Sequence, residues 1–325
     1  MIRQFMTLSF VSSTLALGAN PTVTKMISIP GGTFSRGCTG CDMQDALPVH
    51  KVTVSSFKMD ETPVTNEAFA KFVKATKYVT IAEIPPRKED YPGVPEDKLV
   101  AGSAVFTVPK VFQGFRNYLS WWRYQQKANW QYPQGPGGPK AVPHHPAVHI
   151  SYNDAHRYCQ WRGARLPTEA EYEYAARGGM EGKKYPWGDS LSYKKGNWPA
   201  NIWQGKFPMQ NSQADGYAGT SPVKAFPANG YGLYDMGGNI WHWTSDWYQP
   251  NHYSNLAKLK EPIKDPKGPS SSHDPMEPGL PKKVQKGGSY LCSTAYCNRY
   301  YVGSRGKGDI NSSSDNLGFR CVTST

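Results

Sequence analysis

Two cysteines, Cys292 and Cys297, stand five positions apart, with four residues between them, at the end of Lys286-Gly287-Gly288-Ser289-Tyr290-Leu291-Cys292-Ser293-Thr294-Ala295-Tyr296-Cys297. In a turning loop that spacing can bring both sulfurs to one point. Three chemistries follow. The pair can close a disulfide. It can hold a soft metal, since paired thiolates favour Cu(I) over harder ions. It can exchange with other thiols and disulfides. Zinc fits less well, because a structural zinc site wants four nitrogen or sulfur ligands and no second close pair surrounds this one. A redox dithiol more often has two intervening residues. Spacing alone therefore leaves a structural disulfide as the simplest reading.

The compartment bears on that choice. Arg3 followed by the apolar stretch 5–17, with small residues Ala16, Gly18 and Ala19, reads as a signal peptide over residues 1–19. The stretch is too short for a membrane anchor, and Asn20-Pro21 breaks it. Export is expected, with one catalytic-size domain over residues 20–325. Six cysteines follow the leader: Cys38, Cys41, Cys159, Cys292, Cys297 and Cys321. An even number in an exported chain points first to disulfides, and six allow fifteen pairings. The net charge of +12 is spread along the chain without a nucleic-acid motif, so it reads as a solvated basic surface. No partner copy is called for, and a monomer is expected.

The 325 residues include 27 prolines, 32 glycines and 13% aromatics, a composition that suits a compact fold with long ordered loops. Residues 26–34 read as a strand entering a Gly-Gly turn, and residues 49–57 as another strand. Thr65 opens a helix that places Phe69, Phe72 and Val73 on one face. Residues 84–145 read as an irregular, aromatic-rich insertion. Ser151 with Asp154, and Thr168 with Glu171, have capping-box spacing and start two helices. The alternation in Trp241-His242-Trp243 predicts a strand. Residues 249–283 read as a surface excursion, and strand-like pieces flank the cysteine pair in 286–322.

The blocks HPAVHISYNDAHRYCQW, RLPTEAEYEYAARGG, YPWGD, ANIWQGKFP, NGYGLYDMGGN, WTSDW, KVQKGGSYLCSTAYC and SDNLGFRC carry a resemblance. The chain resembles formylglycine-generating enzymes, the sulfatase-modifying factors, from about Met26 to Val322. The general blocks mark the superfamily; the Cys-x4-Cys after Gly-Gly-Ser is far more specific. The resemblance implies a single loop-rich α+β domain, a C-type-lectin-like variant. It implies an oxidase that converts the cysteine of Cys-x-Pro-x-Arg in unfolded, newly made sulfatases to formylglycine, with Cu(I), O2 and a thiol reductant.

It also implies site residues. Cys292 and Cys297 would hold copper. Ser289 and Trp241 would line the oxygen and substrate-thiol pocket, with Tyr296, Arg305 and Asn316 around it. Glu83 would bind the signal's arginine through a carboxylate–guanidinium pair. Two calcium sites are implied: Asn201 and Asp215 with the carbonyls of Ile202 and Tyr217, and Asp235 with the carbonyls of Met236, Gly238 and Ile240. Mixed carboxylate, amide and carbonyl oxygens suit that hard cation. Cys159 and Cys321 match a disulfide worth on the order of 4 kcal/mol in the chain-entropy account. A second disulfide of some members falls here on Ala176 and Val302. Cys38 and Cys41 have no counterpart, and a local bridge is expected. His242 stands where members often have Glu, and is expected neutral and hydrogen-bonded. His144, His145 and His149 are expected to be ordinary polar residues.

Two other functions compete. Fold does not fix function, and the same scaffold can serve as a binding module in which Cys292 and Cys297 are a permanent bridge. It can also carry a different oxidase, though those relatives generally lack the paired cysteines.

Overall fold

The computed structural model describes residues 24–38, 40–90, 93–191, 198–259 and 262–325. The expected signal peptide, residues 1–19, lies outside them. Among the described residues no helix is long and apolar enough to cross a membrane.

The chain enters through β1 (Met26–Ile29) and β2 (Gly32–Arg36), then β3 (His50–Val54) and β4 (Phe57–Asp60). The single strand expected over 49–57 is two, because the chain leaves the β2–β3 ladder at Val54 and joins β1 and the C-terminal strand from Phe57. Helix α1 (Asn66–Thr76) starts where Thr65 Oγ1 accepts from Ala68 N. It buries Phe69 and Phe72. The insertion is more regular than its composition suggests: β5 (Gly102–Phe106) and β6 (Trp122–Gln126) form an antiparallel ladder.

Helices α2 (Tyr152–Trp161) and α3 (Glu169–Arg177) both begin at full capping boxes, Ser151/Asp154 and Thr168/Glu171. A small pair, β7 (Gly205–Lys206) and β8 (Gln210–Asn211), precedes β9 (Trp241–Trp247). Helix α4 (His252–Leu256) and β10 (Ile263–Lys264) follow. This excursion is tied into the fold. Tyr253 is fully buried, and β10 pairs with β3. Strands β11 (Lys282–Lys286), β12 (Gly306–Asp309), β13 (Leu317–Gly318) and β14 (Val322–Ser324) complete the chain.

The sheet that carries the site has the order β12-β11-β9-β13. One apolar core joins α1, α2 and this sheet, and a second lies between α3 and the N-terminal strands. A bridge between Cys159 of α2 and Cys321 beside β14 closes the core, as the resemblance implies. Cys38 and Cys41 form the expected local bridge. Ala176 and Val302 are both buried in the second core, so apolar packing stands where some members have their other bridge.

Between the layers lies a buried ion cluster. Glu169 and Glu173, on the inner face of α3, have no solvent exposure. Glu169 bonds Arg36 at 2.7 Å and Arg305 at 2.7 Å, and Glu173 bonds Arg177 at 2.7 Å and Lys286 at 3.1 Å. A buried charge is tolerated only when paired in this way.

Candidate active site: a paired-thiol pocket

Strand β11 ends at Gly287 and Gly288, with φ of 91° and 66°. A side chain on Gly287 would sit 2.5 Å from the Tyr172 hydroxyl, and one on Gly288 would sit 2.8 Å from Tyr300 N. Glycine is the residue that passes this gap in this backbone conformation. The turn delivers Ser289 into the interior, where its carbonyl accepts from Cys292 N at 2.9 Å.

Beyond Cys292 the chain closes on itself. Ser293 N donates to the Tyr296 carbonyl at 2.8 Å, and Tyr296 N donates to Ser293 Oγ at 3.0 Å. Cys292 and Cys297 flank this closed turn. That local geometry explains how a four-residue spacer joins two thiols. Both are free, Cys292 fully buried and Cys297 half-buried, and they stand close enough for each thiol to shift the other's ionisation. Burial, reinforced by Cys297, pushes the Cys292 thiol well up. The neighbouring Cys292 thiol, aided against burial by the Arg299 charge, draws Cys297 down.

The walls come from distant elements. Trp241, at the start of β9, shares the buried core with Cys292 and Tyr300, and its N donates to the Asn316 carbonyl at 2.8 Å. Asn316 Nδ2 donates to Ser289 Oγ at 2.9 Å, while its Oδ1 accepts from Ser314 at 2.7 Å. That arrangement fixes both groups, since Asn316 uses both ends of its amide. Tyr296 is stacked between Phe207 at 4.7 Å and Phe115 at 5.3 Å. Burial and the two cysteines push its phenol up to about 12.

The structure thus gathers Cys292, Cys297, Ser289, Asn316, Trp241 and Tyr296. It does not place two other expected groups with them. The Arg305 guanidinium is spent on Glu169 and on the Asp45 and Gln249 carbonyls at 2.8 and 3.1 Å. Glu83 turns inward to cap its own short helix, accepting from Thr80 N at 3.0 Å and Thr80 Oγ1 at 2.7 Å. Sequence reasoning missed Arg299, although a cation two residues beyond a thiol is visible in the chain. It also missed Phe115 and Phe207, which only the fold brings to Tyr296.

His242 is neutral and hydrogen-bonded. Its Nδ1 meets the Tyr172 hydroxyl at 3.1 Å, and burial beside Arg320 holds its pKa well below the ordinary value.

A family model described as a sulfatase-modifying factor enzyme 1-like domain matches residues 13–325. The chain belongs to that family. It is 42% identical to the formylglycine-generating enzyme of Mus musculus over 95% of this chain and 77% of the relative. It is 43% identical to the enzyme of that name from Streptomyces coelicolor, over 94% of this chain and 91% of the relative. It is also 38% identical to an inactive Cα-formylglycine-generating enzyme 2 of Bos taurus, over 95% of this chain and 91% of the relative. Among solved structures, PvdO from Pseudomonas aeruginosa superposes with a TM-score of 0.59 at 22% identity, covering 92% of this chain and 94% of that one. That likeness supports the mixed α+β fold of the sulfatase-modifying factor family and nothing beyond it.

Two oxygen clusters correspond to the implied cation sites. In the first, Asn201 is buried and its Oδ1 has no hydrogen-bond partner. Asp215 lies beside it, accepting from Ile202 N at 3.1 Å and Tyr217 N at 3.0 Å. In the second, Asp235 accepts from Lys224 N at 3.2 Å and Asn239 Nδ2 at 3.1 Å. Burial raises the pKa of both aspartates, and neither has a salt-bridge cation among the described residues. In the first cluster a half-buried carboxylate beside an orphaned amide oxygen suits a hard cation.

Proposed function

We propose that this protein converts a cysteine in sulfatase polypeptides to formylglycine, within an exported compartment where its two disulfides persist. The observation that carries the reading is the pair of free, neighbouring thiols Cys292 and Cys297, set on either side of a closed turn. The family contains active and inactive relatives, so the chemistry of this pocket has to decide.

The donor set fits Cu(I): two soft sulfurs, one buried and one reachable from outside. When bound, copper would supply one-electron redox chemistry with O2. The overall change balances as a peptide CH2–SH, O2 and two thiols giving the aldehyde, hydrogen sulfide, water and a disulfide. The protein's own task is positioning. Cys297, half-buried, faces the incoming peptide thiol. Ser289, held by Asn316, and the Trp241 ring bound the space beside the sulfurs and restrict water. Arg299 places positive charge next to Cys297. Calcium at the Asn201/Asp215 and Asp235 clusters would brace the loops that lead to Trp203 and Trp241, which flank the pocket.

The test is mass spectrometry of a Cys-x-Pro-x-Arg peptide incubated with protein, Cu(I), a thiol reductant and oxygen. Aldehyde formation that is lost in Cys292→Ser and in Cys297→Ser, with both variants folded, supports the reading. A copper-bound, folded protein that forms no aldehyde refutes it, and the binding-module alternative then stands.

A further inference from the structure

The insertion carries a surface that the chemistry at the thiols does not explain. Between β5 and β6 the chain presents Val108, Val111, Phe112, Phe115, Tyr118 and Leu119 to solvent, with exposures from 40% to 67%. Soluble proteins rarely leave so dense an apolar group uncovered without a binding role. The loop is ordered by its own contacts. Thr107 N donates to the Trp121 carbonyl at 2.9 Å, and the Phe112 and Phe115 rings meet at 5.1 Å.

Two observations say what covers it. The first is continuity. Phe115 stacks on Tyr296, and Trp121 meets the same ring edge-on at 5.2 Å. Tyr296 is the neighbour of Cys297, and both are partly exposed, so the apolar surface runs up to the residue beside the outer thiol. The second is charge. From Lys98 to Asn153 the sequence has no Asp or Glu, while it has Lys98, Lys110, Arg116, Arg123, Lys127 and Lys140. Lys110, Arg116 and Arg123 are exposed, and no carboxylate pairs with them among the described residues. The surface is apolar with an unneutralised basic rim.

We infer that loop 107–121 is a docking platform for an extended polypeptide segment that is apolar and acidic and is continuous with the cysteine-bearing segment. This rests on the proposed function and adds to it a second point of contact away from the reacting cysteine. An unfolded chain exposes the apolar side chains that folding would bury, and the platform offers them cover without demanding a particular sequence. The basic rim selects among such segments by charge and speeds encounter.

The experiment uses two peptides with the same Cys-x-Pro-x-Arg core. One is the core alone. The other is extended on either side by residues rich in Leu, Val and Glu. Binding to copper-free protein is read by fluorescence anisotropy, and conversion by the copper-loaded protein is read separately. Two exposed-surface variants are compared: Val111→Ser/Phe112→Ser/Leu119→Ser, and Lys110→Glu/Arg116→Glu. Covering two such side chains should strengthen binding by roughly tenfold or more. The wild type should therefore bind the extended peptide at least tenfold more tightly than the core. Both variants should lose that advantage while converting the core peptide normally. The charge-reversed variant should also lose the salt dependence.

Equal binding of the two peptides by the wild type overturns the inference, as does equal loss of both in the variants. Sedimentation that shows a dimer dissolved by the apolar variant, or binding to anionic phospholipid vesicles lost in the variants while peptide binding persists, assigns the surface elsewhere and overturns it too. Failure to convert the core peptide bears on the proposed function, whereas the anisotropy result on copper-free protein bears on the platform.

Discussion

Replacing Arg305 separates a catalytic from a structural role at a position that the family resemblance assigns to the catalytic centre. In the structure its guanidinium has no solvent exposure and ties Glu169 to two backbone carbonyls. Arg305→Met would strand part of a buried carboxylate's partnership, a loss of about 3–5 kcal/mol when a pair is broken from one side. Arg36 still holds Glu169 at 2.7 Å, which puts the expected loss near the lower figure, about 3 kcal/mol. For a domain of this size that is roughly 5–10 °C in Tm. The loss should depend on pH in one direction. Burial raises the Glu169 pKa, but Arg305 and Arg36 outweigh it and hold the carboxyl far below its ordinary value. Its contribution is thus present above the unfolded pKa and fades as pH falls below it. The gap in Tm between wild type and Arg305→Met should narrow in acid. The assay pairs thermal unfolding at several pH values with kcat/KM measured on folded protein well below the transition. An unchanged Tm with a hundredfold loss of kcat would refute the structural reading and return Arg305 to the chemistry.

Three further outcomes are expected. Burial and the neighbouring Glu169 charge push Asp246 up to about 6 from an ordinary 3.8, so the folded state holds that proton longer and loses stability as pH rises between those values. Asp246→Asn should then melt higher than wild type at pH 7.5, by up to about 3 kcal/mol, and lose the advantage below pH 4; a lower melting point at pH 7.5 would contradict this. Chelation of calcium should lower the wild-type Tm, by up to about 3 kcal/mol equivalent for a site kept well saturated. In Asn201→Ala the effect should shrink, and calcorimetric silence to calcium in the wild type would count against both sites. Cys159→Ala/Cys321→Ala should cost a few kcal/mol, because the bridge spans a separation of 162 residues. Denaturant unfolding measures that cost, and an unchanged midpoint would show that the bridge constrains nothing in the unfolded chain.

What could be read from the sequence follows the range of the interactions concerned. The capping boxes at Ser151/Asp154 and Thr168/Glu171 are three-residue devices, and both helices begin where they dictate. The turn that joins Cys292 to Cys297 is local too, so the spacing was informative. Glu83 shows the same rule from the other side. Its partner Thr80 is three residues away, whereas the resemblance implies a partner outside the chain, the arginine of the substrate's signal. The least legible feature is α3. Glu169 and Glu173 would face water on any amphipathic reading, but Arg36, Arg177, Lys286 and Arg305 meet them inside. No periodicity predicts a buried acid whose partners lie up to 136 residues away.

That cluster also accounts for the geometry of the site. Lys286, fully buried, ends β11 on Glu173, and the next three residues are Gly287, Gly288 and Ser289. On the far side, Asn316 reaches Ser289 from the turn before β13, whose Leu317 pairs with Trp241. The segment that carries the thiols is therefore anchored at its entrance by charge and along its flank by a hydrogen bond. Where it meets the insertion, Tyr296 packs against Phe115 and Trp121. An ion cluster remote from the sulfurs can thus fix where they stand. Glu173→Gln should accordingly loosen the pocket as well as the fold: copper affinity of the folded protein should fall along with stability, while a variant that loses stability alone would uncouple the two.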